Sequence, residues 1–418
     1  MDSDSRPSPL RRLTDLAART HAPLLLSIGV VYLGLATGLT WNLDPEPVRS
    51  RDYFPLQAGA FLSGQLHLDL APDEAKLDMT IHDGRVYLHW GPSNALLPLL
   101  VRIATGGMLS ACLWAPLYAF AGLMFHLALY ERIARRHFPG SPLWVPTLFL
   151  ATLALGSPLV YVAAWSLSPH TQSIALSFAA QSAVLFSFVC LAETGRRSVA
   201  VGLALALALA LTTRLTVVFL LPGLLVGGAL LIPPPRSREV IRRAWIPSLG
   251  AALAVVGLMV YNHARFGSVT ETGMREATGL PRQRAYLYEN GLEVSPRWIP
   301  LNAWLYLVRP PDFSGGWPRA GWSDELDVPD TMRDLFVDDE AHTIDAHSAL
   351  IMTPALLLAL LAAFVRGPSA ARRLALTFAL AALGVIAFLL CYAFTARRFT
   401  VDFLPVWLLV AFIGTQLA

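Results

Sequence analysis

Charged residues are scarce in this sequence. Asp, Glu, Lys and Arg make up 15% of the 418 residues, whereas hydrophobic residues make up 55%, and the mean hydropathy is +0.52. An average soluble domain carries about 25% charged residues, and one soluble core could not bury this much apolar surface. The composition excludes a soluble enzyme with a single anchor. It predicts an all-α polytopic membrane protein, because a lipid-exposed backbone must satisfy its own hydrogen bonds.

Lysine and cysteine are rarer still. Lys76 is the single lysine among 32 basic residues, which indicates the coding bias of a GC-rich genome, and the net charge is only +3. We therefore expect no nucleic-acid partner. The three cysteines, Cys112, Cys190 and Cys391, lie inside apolar runs and share no metal-like spacing. They are interpreted as small buried hydrophobic residues.

Ten apolar runs are near the length of about 20 residues that a helix needs to span a bilayer. We predict one integral membrane domain, residues 1–418, with transmembrane helices at residues 22–42, 106–130, 144–164, 171–192, 199–213, 215–232, 245–262, 349–365, 374–395 and 399–418. The first run is interpreted as a retained signal anchor. The last lacks the charged flank that is usual at a cytosolic end, as expected of a truncated chain.

The arginines determine the predicted orientation. With the N-terminus in the cytosol, half of the arginines fall in cytosolic loops, as the positive-inside rule requires. The protein is then expected in the cytoplasmic membrane with its active face outside. Two long loops, residues 43–105 and 263–348, lie on that outer side. Chemistry is expected where these loops meet the bilayer surface.

The first outer loop is predicted to contain interfacial helices and a small hairpin. Phe54, Ala58 and Phe61 have a helical spacing that would lay one face on the membrane interface. Alternating apolar residues around Asp83–Gly84 favour two short strands joined by a tight turn. The segment GPSNALLPLLVRIA is too short and too rich in proline to span, and it is predicted to form a second interfacial helix.

Asp52 directly precedes the first of these interfacial helices. One interpretation is an N-cap, because an aspartate carboxylate accepts hydrogen bonds from the first turn, where Pro55 is tolerated. The other is a carboxylate at the lip of a membrane cavity, where it could act as a general base or a metal ligand. The residues alone leave both open.

Four arginines occupy predicted outer turns, where arginine should be depleted. Arg214 lies between the fifth and sixth predicted helices, Arg265 follows the seventh, and Arg397 and Arg398 precede the tenth. Guanidinium groups offer paired donors to phosphate oxygens, and partial burial strengthens such bonds. These side chains indicate an anion bound at the outer headgroup level. Alternatively, each arginine extends to ordinary lipid phosphates.

Several segments on the predicted outer side carry a resemblance to a known family. Asp52 and Tyr53 are followed by AGAFLSGQLHLD, then by DGRVYLHWGPSNALLPLL, YNHARFGS and ARRFTVDFLPVWLL. In this order they resemble the GT-C superfamily of polyprenyl-phosphate-sugar glycosyltransferases, which includes protein O-mannosyltransferases and bacterial lipid A aminoarabinose transferases. The resemblance covers nearly the whole chain.

The resemblance implies a bundle of about ten transmembrane helices whose cavity opens to the outer face. There, a sugar would pass from a polyprenyl-phosphate donor to a glycan, lipid or protein acceptor. Asp52 would be the catalytic base of an inverting transfer, and Tyr53 and His170 would contact substrate. The donor phosphate would be bound by the outer-turn arginines, Arg214, Arg265, Arg397 and Arg398.

The predicted turn between the third and fourth helices departs from the family pattern. Many members have a second acid near the first or in this turn, whereas this sequence has His170 and Gln172. A histidine beside a proline is often only a turn residue. No cofactor is therefore certain, and a divalent cation is left open.

Two other classes of function compete with the transferase. A transporter of a lipid-linked sugar or another anion would show internal repeats and ionisable residues at mid-membrane. This sequence has no clear repeat, and its polar residues cluster at one predicted surface. A membrane scaffold that kept the fold without activity is the third class, and the missing second acid leaves it open.

Overall fold

The computed structural model describes residues 9–41, 53–76, 78–107, 109–142, 144–164, 168–232, 236–278, 287, 290–309, 349, 353–365, 369–393 and 396–418. Asp52 and residues 310–348 of the predicted second outer loop lie outside the described residues. The side chain of Arg397 lies outside them as well.

Helices dominate the described residues. The α-helices are α1 (Pro9–Ala36), α2 (Tyr53–Leu62), α3 (Leu96–Thr105), α4 (Ala111–His137), α5 (Trp144–Leu155), α6 (Leu159–Ala164), α7 (Pro169–Thr194), α8 (Arg197–Thr213), α9 (Leu221–Leu231), α10 (Arg236–Phe266), α11 (Ile299–Ala303), α12 (Leu361–Phe364), α13 (Ser369–Cys391) and α14 (Leu404–Leu417). The strands are β1 (Met79–His82) and β2 (Arg85–Leu88). Among the short 3₁₀ segments are Pro92–Ala95, Leu215–Leu220, Pro354–Leu360 and Arg397–Asp402.

All ten predicted transmembrane helices coincide with apolar helices. Within the described residues, four are long and apolar enough to cross a membrane, judged by length and composition: α4, α7, α13 and the Arg238–Phe266 part of α10. The remaining six are shorter: His21–Ala36, Trp144–Leu155, Arg197–Thr213, Leu215–Leu231, Pro354–Phe364 and Leu404–Leu417. The predicted fold class, an all-α membrane bundle with a small hairpin, is confirmed.

Two predicted helices are less regular than expected. The run at 144–164 is divided into α5 and α6, because Pro158 lacks an amide hydrogen and cannot continue the helical ladder. The Ser157 hydroxyl donates to the Leu153 carbonyl at 2.5 Å and so satisfies one acceptor at the break. The predicted helix at 349–365 contains the 3₁₀ segment Pro354–Leu360 before it becomes α12.

The centre of the bundle is formed by α7 and α14, whose side chains are buried on nearly every face. In contrast, only 11% of the apolar window of α10 is buried inside the protein, as expected of a helix that faces lipid. Helices α9 and α13 approach closely at Gly223. A Cβ atom there would lie 2.2 Å from the Ala381 nitrogen, so only glycine allows this contact.

The predicted hairpin is present and forms part of a small separate core. Strands β1 and β2 pair antiparallel, with Ile81 opposite Val86. Asp83 and Gly84 connect them with φ angles of 49° and 70°, as a two-residue hairpin turn requires. Apolar side chains of α2, the hairpin and the chain on either side of it pack together: Tyr53, Phe54, Leu68, Met79, Val86, Leu88 and Trp90.

The described parts of the two predicted outer loops meet at one end of the bundle, which we call the hairpin end. Thr80 of β1 forms a bridge with Ala277, and Val294 forms one with Tyr392 after α13. The Asn302 amide donates to three carbonyls at the end of α13, those of Leu389, Leu390 and Tyr392. The opposite end carries connections rich in arginine, such as residues 132–137 and 194–197, and is called the arginine-rich end.

Candidate functional site

The centre of the candidate site is an aspartate and histidine pair at the hairpin end. Asp78 lies directly before β1, and its Oδ2 atom is 3.0 Å from the Nε2 atom of His170. His170 lies in the first turn of α7, which Pro169 begins. Asp78 has a φ of 67°, a left-handed conformation that aspartate tolerates better than most residues. Both side chains remain partly exposed, at 20% for Asp78 and 28% for His170.

His89 and Trp90, which follow β2, support this pair. The Nδ1 atom of His89 is 2.9 Å from the Asp78 carbonyl. Its ring stacks on Trp90 at 3.9 Å, and the Trp90 ring meets His170 edge-on at 5.1 Å. Burial and then the neighbouring His170 lower the pKa of His89 well below its ordinary value of 6.5. His89 is therefore uncharged at neutral pH, and its Nδ1–H donates to the carbonyl of Asp78.

Helix α2 contacts the site through its first residues. The rings of Tyr53 and Phe54 lie 5.9 and 5.7 Å from Trp90, between centroids. Tyr53, which the sequence predicts to contact substrate, therefore packs against the same Trp90 ring as His170. Asp52 directly precedes Tyr53 in the chain but is not among the described residues, so its predicted roles as base or cap stay predictions.

Two of the predicted phosphate-binding arginines flank one aromatic ring. The guanidinium carbons of Arg214 and Arg398 each lie 5.5 Å from the centroid of Phe399. Both positive charges are within electrostatic reach of the His170 imidazole. Arg214 also contacts Asp402, with 3.1 Å between its NH2 atom and Oδ2.

Asp402 is the most deeply buried acid of the site, with a side chain 2% exposed. Burial raises its pKa, while Arg214 opposes that shift by stabilising the carboxylate. The carboxylate orients one edge of the Arg214 guanidinium. The Nε atom of Arg214 is buried without a hydrogen-bond partner.

The chain after the hairpin packs tightly against the end of α8, directly before Arg214. A Cβ atom on Gly91 would lie 1.9 Å from the Thr212 carbonyl oxygen, so the backbones touch. The hydroxyls of Ser93 and Thr212 are hydrogen-bonded at 2.6 Å. Glycine at position 91 therefore allows the first outer loop to reach the arginine side of the site.

Arg265 occupies a different place from the other arginines. It is 4% exposed, and its two terminal nitrogens donate to the Leu88 carbonyl and, at 2.8 Å, to the Asn262 side chain. Its guanidinium lies 3.9 Å from the centre of the Tyr261 ring. These contacts join the end of α10 to β2.

The structure brings together four of the predicted residues, Tyr53, His170, Arg214 and Arg398, around Trp90 and Phe399. Three more polar residues, Asp78, His89 and Asp402, belong to the site although the sequence did not indicate them. The predicted hairpin was the available signal for Asp78 and His89, because an antiparallel pair of strands brings the residues at its two open ends together. No local pattern singles out Asp402.

A metal site is not formed by the described residues alone. In the described ranges, no group of three or more His, Cys, Asp or Glu side chains is close enough to hold a metal ion. Asp78 and His170 supply two donors, and these are hydrogen-bonded to each other. The donor set therefore does not fit a divalent cation without a further ligand.

No protein-family model matches the chain, and no curated protein matches it. Solved structures do match. The apo crystal structure of the Archaeoglobus fulgidus oligosaccharyltransferase has a TM-score of 0.52 and 14% identity, over 96% of this chain and 51% of that one. ArnT from Cupriavidus metallidurans, bound to undecaprenyl phosphate, has a TM-score of 0.49 and 15% identity, over 95% and 60%. AglB from Archaeoglobus fulgidus, in complex with an inhibitory peptide and a dolichol-phosphate, has a TM-score of 0.47 and 12% identity, over 96% and 50%.

The likeness to the apo oligosaccharyltransferase shows the fold. The chain adopts the arrangement of helices of that oligosaccharyltransferase over almost its whole length, so the expected fold is confirmed. The chain spans 50% to 60% of the lengths of the three matching proteins. At such low identity, a shared fold leaves the activity to be argued from the site.

Proposed function

We propose that the protein is an inverting glycosyltransferase that moves a sugar from a polyprenyl-phosphate donor to an acceptor at the hairpin end of the bundle. The observation that carries the proposal is the meeting of Asp78–His170 with Arg214 and Arg398 at one end of an apolar bundle. Such a place offers a charged lipid headgroup its cationic partners while its hydrocarbon tail stays in the bilayer. The GT-C fold, which is shared with lipid-linked sugar transferases, supports this assignment.

The reaction requires a base on one side of the sugar and cations on the other. We assign the base to Asp52, which removes the proton of an acceptor hydroxyl as its oxygen bonds to the anomeric carbon. The bond from that carbon to the donor phosphate oxygen breaks, and the electron pair leaves with the phosphate. Attack from the face opposite the phosphate inverts the anomeric centre.

The leaving phosphate gains negative charge as its bond breaks. Arg214 and Arg398 flank Phe399 and are the described guanidiniums best placed to stabilise that charge. Arg397 begins the same 3₁₀ segment as Arg398 and keeps its predicted role. We assign Arg265 to holding β2 against α10, because its terminal nitrogens already donate within the protein.

We assign His170 to contact the substrate and Asp78 to orient the His170 ring. The Asp78 carboxylate accepts from Nε2–H and so fixes the tautomer and the ring plane of His170. The orientation of the other ring nitrogen, Nδ1, is thereby fixed as well. Trp90 limits the ring on another side. In the neutral ring, donation from Nε2–H leaves Nδ1 as an acceptor. It can accept a hydrogen bond from a sugar hydroxyl without the ring first losing rotational freedom.

The test is transfer of labelled sugar in proteoliposomes. Radiolabelled polyprenyl-phosphate hexoses and pentoses are supplied in parallel to the wild type and to Asp52→Asn, and sugar released from the lipid is counted. We expect release with one donor by the wild type and none by the variant. Equal release by both would remove Asp52 as the base. Movement of intact labelled lipid across the bilayer, without release, would establish the transporter instead.

A further inference from the structure

A groove lies between helices and extends to the arginine-rich end, where α13 begins. Its volume is about 550 Å³, and it is formed by the 3₁₀ segment Pro354–Leu360 with α12, by α13 and by α14. Alanine and leucine side chains and Trp407 provide most of its walls, while two charged side chains, Arg372 and Arg373, also line it. The groove therefore combines an apolar channel with a cationic group.

The groove faces the bilayer. Leu360 and Leu376, on its two sides, are 55% and 48% exposed. Along α13 its lining runs from Ser369 to Ala379, which is roughly 15 Å at the rise of an α-helix. Hydrocarbon from the surrounding lipid is the natural occupant of an apolar channel of that length.

The two arginines make an anion the favourable headgroup. Both lie in the first turns of α13, where the helix dipole is positive and further positive charge is unfavourable unless an anion neutralises it. The Nε atom of Arg373 is buried and has no hydrogen-bond partner. A guanidinium near a helix start matches phosphate oxygens in charge and geometry.

We propose that this groove binds an anionic phospholipid of the membrane, with an acyl chain between α13 and α14 and its phosphate at Arg372 and Arg373. The predicted orientation places this end in the cytosolic leaflet, where anionic lipids attract basic residues. This lipid site lies at the start of α13, whereas the residues assigned to sugar transfer lie beyond its other end. A bound lipid there holds the 3₁₀ segment, α13 and α14 together.

Native mass spectrometry of the purified full chain tests the proposal. The protein, in an uncharged detergent, is titrated with dioleoyl phosphatidylglycerol and separately with dioleoyl phosphatidylcholine. We expect the wild type to prefer the anionic lipid, and the double variant Arg372→Gln with Arg373→Gln to bind it roughly 30-fold more weakly. Arg196→Gln with Arg197→Gln is the matched control, because these exposed arginines stand at the start of α8 and line no described groove. Its affinity should equal that of the wild type.

A second variant tests the channel without changing charge. Ala379→Phe places a ring in the groove and should reduce binding of phosphatidylglycerol by at least tenfold, while the thermal unfolding temperature without lipid stays within a few degrees of the wild type. The proposal is overturned if wild type binds both lipids equally. It is also overturned if the control loses as much affinity as Arg372→Gln with Arg373→Gln, or if Ala379→Phe binds normally.

Discussion

The two ends of the bundle use their charged residues in different ways. At the arginine-rich end the ion pairs lie on long helices: Glu131 of α4 contacts His21 of α1 at 3.0 Å, and Arg132 contacts Glu193 of α7 at 2.6 Å. At the hairpin end the paired groups lie in loops and short segments, as with Asp78 before β1 and Asp402 before α14. His170, the partner of Asp78, lies in the first turn of the long helix α7.

We interpret the difference as one between structural charges and the charges proposed to bind substrate. Pairs between neighbouring helices fix how those helices pack, and the arginines beyond them follow the positive-inside rule. Groups on loops distant in the sequence must be desolvated to meet, which stabilises a fold little. Their convergence at the hairpin end is therefore better explained by a ligand than by stability.

The largest effect is expected at Asp52, the residue that would give the hairpin end its base. Asp52→Asn should lower the rate of sugar transfer by about a thousandfold or more, since general base catalysis contributes about 10² to 10⁴. Asparagine caps helices nearly as well as aspartate, so the unfolding temperature should not change. Normal turnover by this variant, measured as label leaving the donor lipid, would end the assignment.

The next effect contrasts arginines from the two ends. Arg398→Gln should lower kcat by about a hundredfold, because one preorganised donor to the developing charge is lost. Arg136→Gln is its counterpart at the other end, on an exposed residue whose nitrogen is 3.9 Å from Glu193. It should change kcat less than twofold. Similar losses in both variants would remove the distinction between the ends.

A smaller effect is expected for the residue that orients His170. Asp78→Asn keeps a side chain that tolerates the left-handed backbone but removes the negative charge next to the imidazole. We expect a loss of about tenfold in kcat/KM, with His170→Gln reducing it similarly and the double variant little further, because the two act as a unit. Fully additive losses in steady-state kinetics would show that the pair does not act together.

The smallest effect concerns pH and His89. Its pKa in the folded protein lies below the ordinary value of 6.5, so as the pH falls the unfolded chain takes up the proton first. Stability contributed by the neutral ring is present above about pH 6.5 and is lost progressively below it. Thermal unfolding between pH 7.5 and 5 should therefore show a smaller decrease for His89→Gln than for the wild type. An equal decrease would show that His89 is not the group responsible.

The parts of the fold that were predictable depend on local patterns. A bilayer fixes the length of an apolar helix, so the ten runs were recognisable, and Asp83–Gly84 between alternating residues defined the hairpin. Pro158 could have predicted the break between α5 and α6, but the apolar residues on both sides of it favoured one continuous helix.

The candidate site was only partly predictable because its contacts join distant residues. Asp78 and His170 are separated by 92 positions, and no spacing rule links an acid before a strand to a histidine at a helix start. Arg265 shows the converse problem. A phosphate and the Leu88 carbonyl are both acceptors, so the sequence indicated that this arginine had a partner without indicating which.

The most direct test of the account is where a polyprenyl phosphate binds. A polyprenyl phosphate with a photoreactive group next to its phosphate is irradiated with the protein in nanodiscs, and the labelled residues are mapped by peptide mass spectrometry. The account predicts labels at the hairpin end, in residues 88–94, 168–172 and 396–402. Labels confined to the connections of the arginine-rich end, such as residues 132–137 and 194–197, would contradict it.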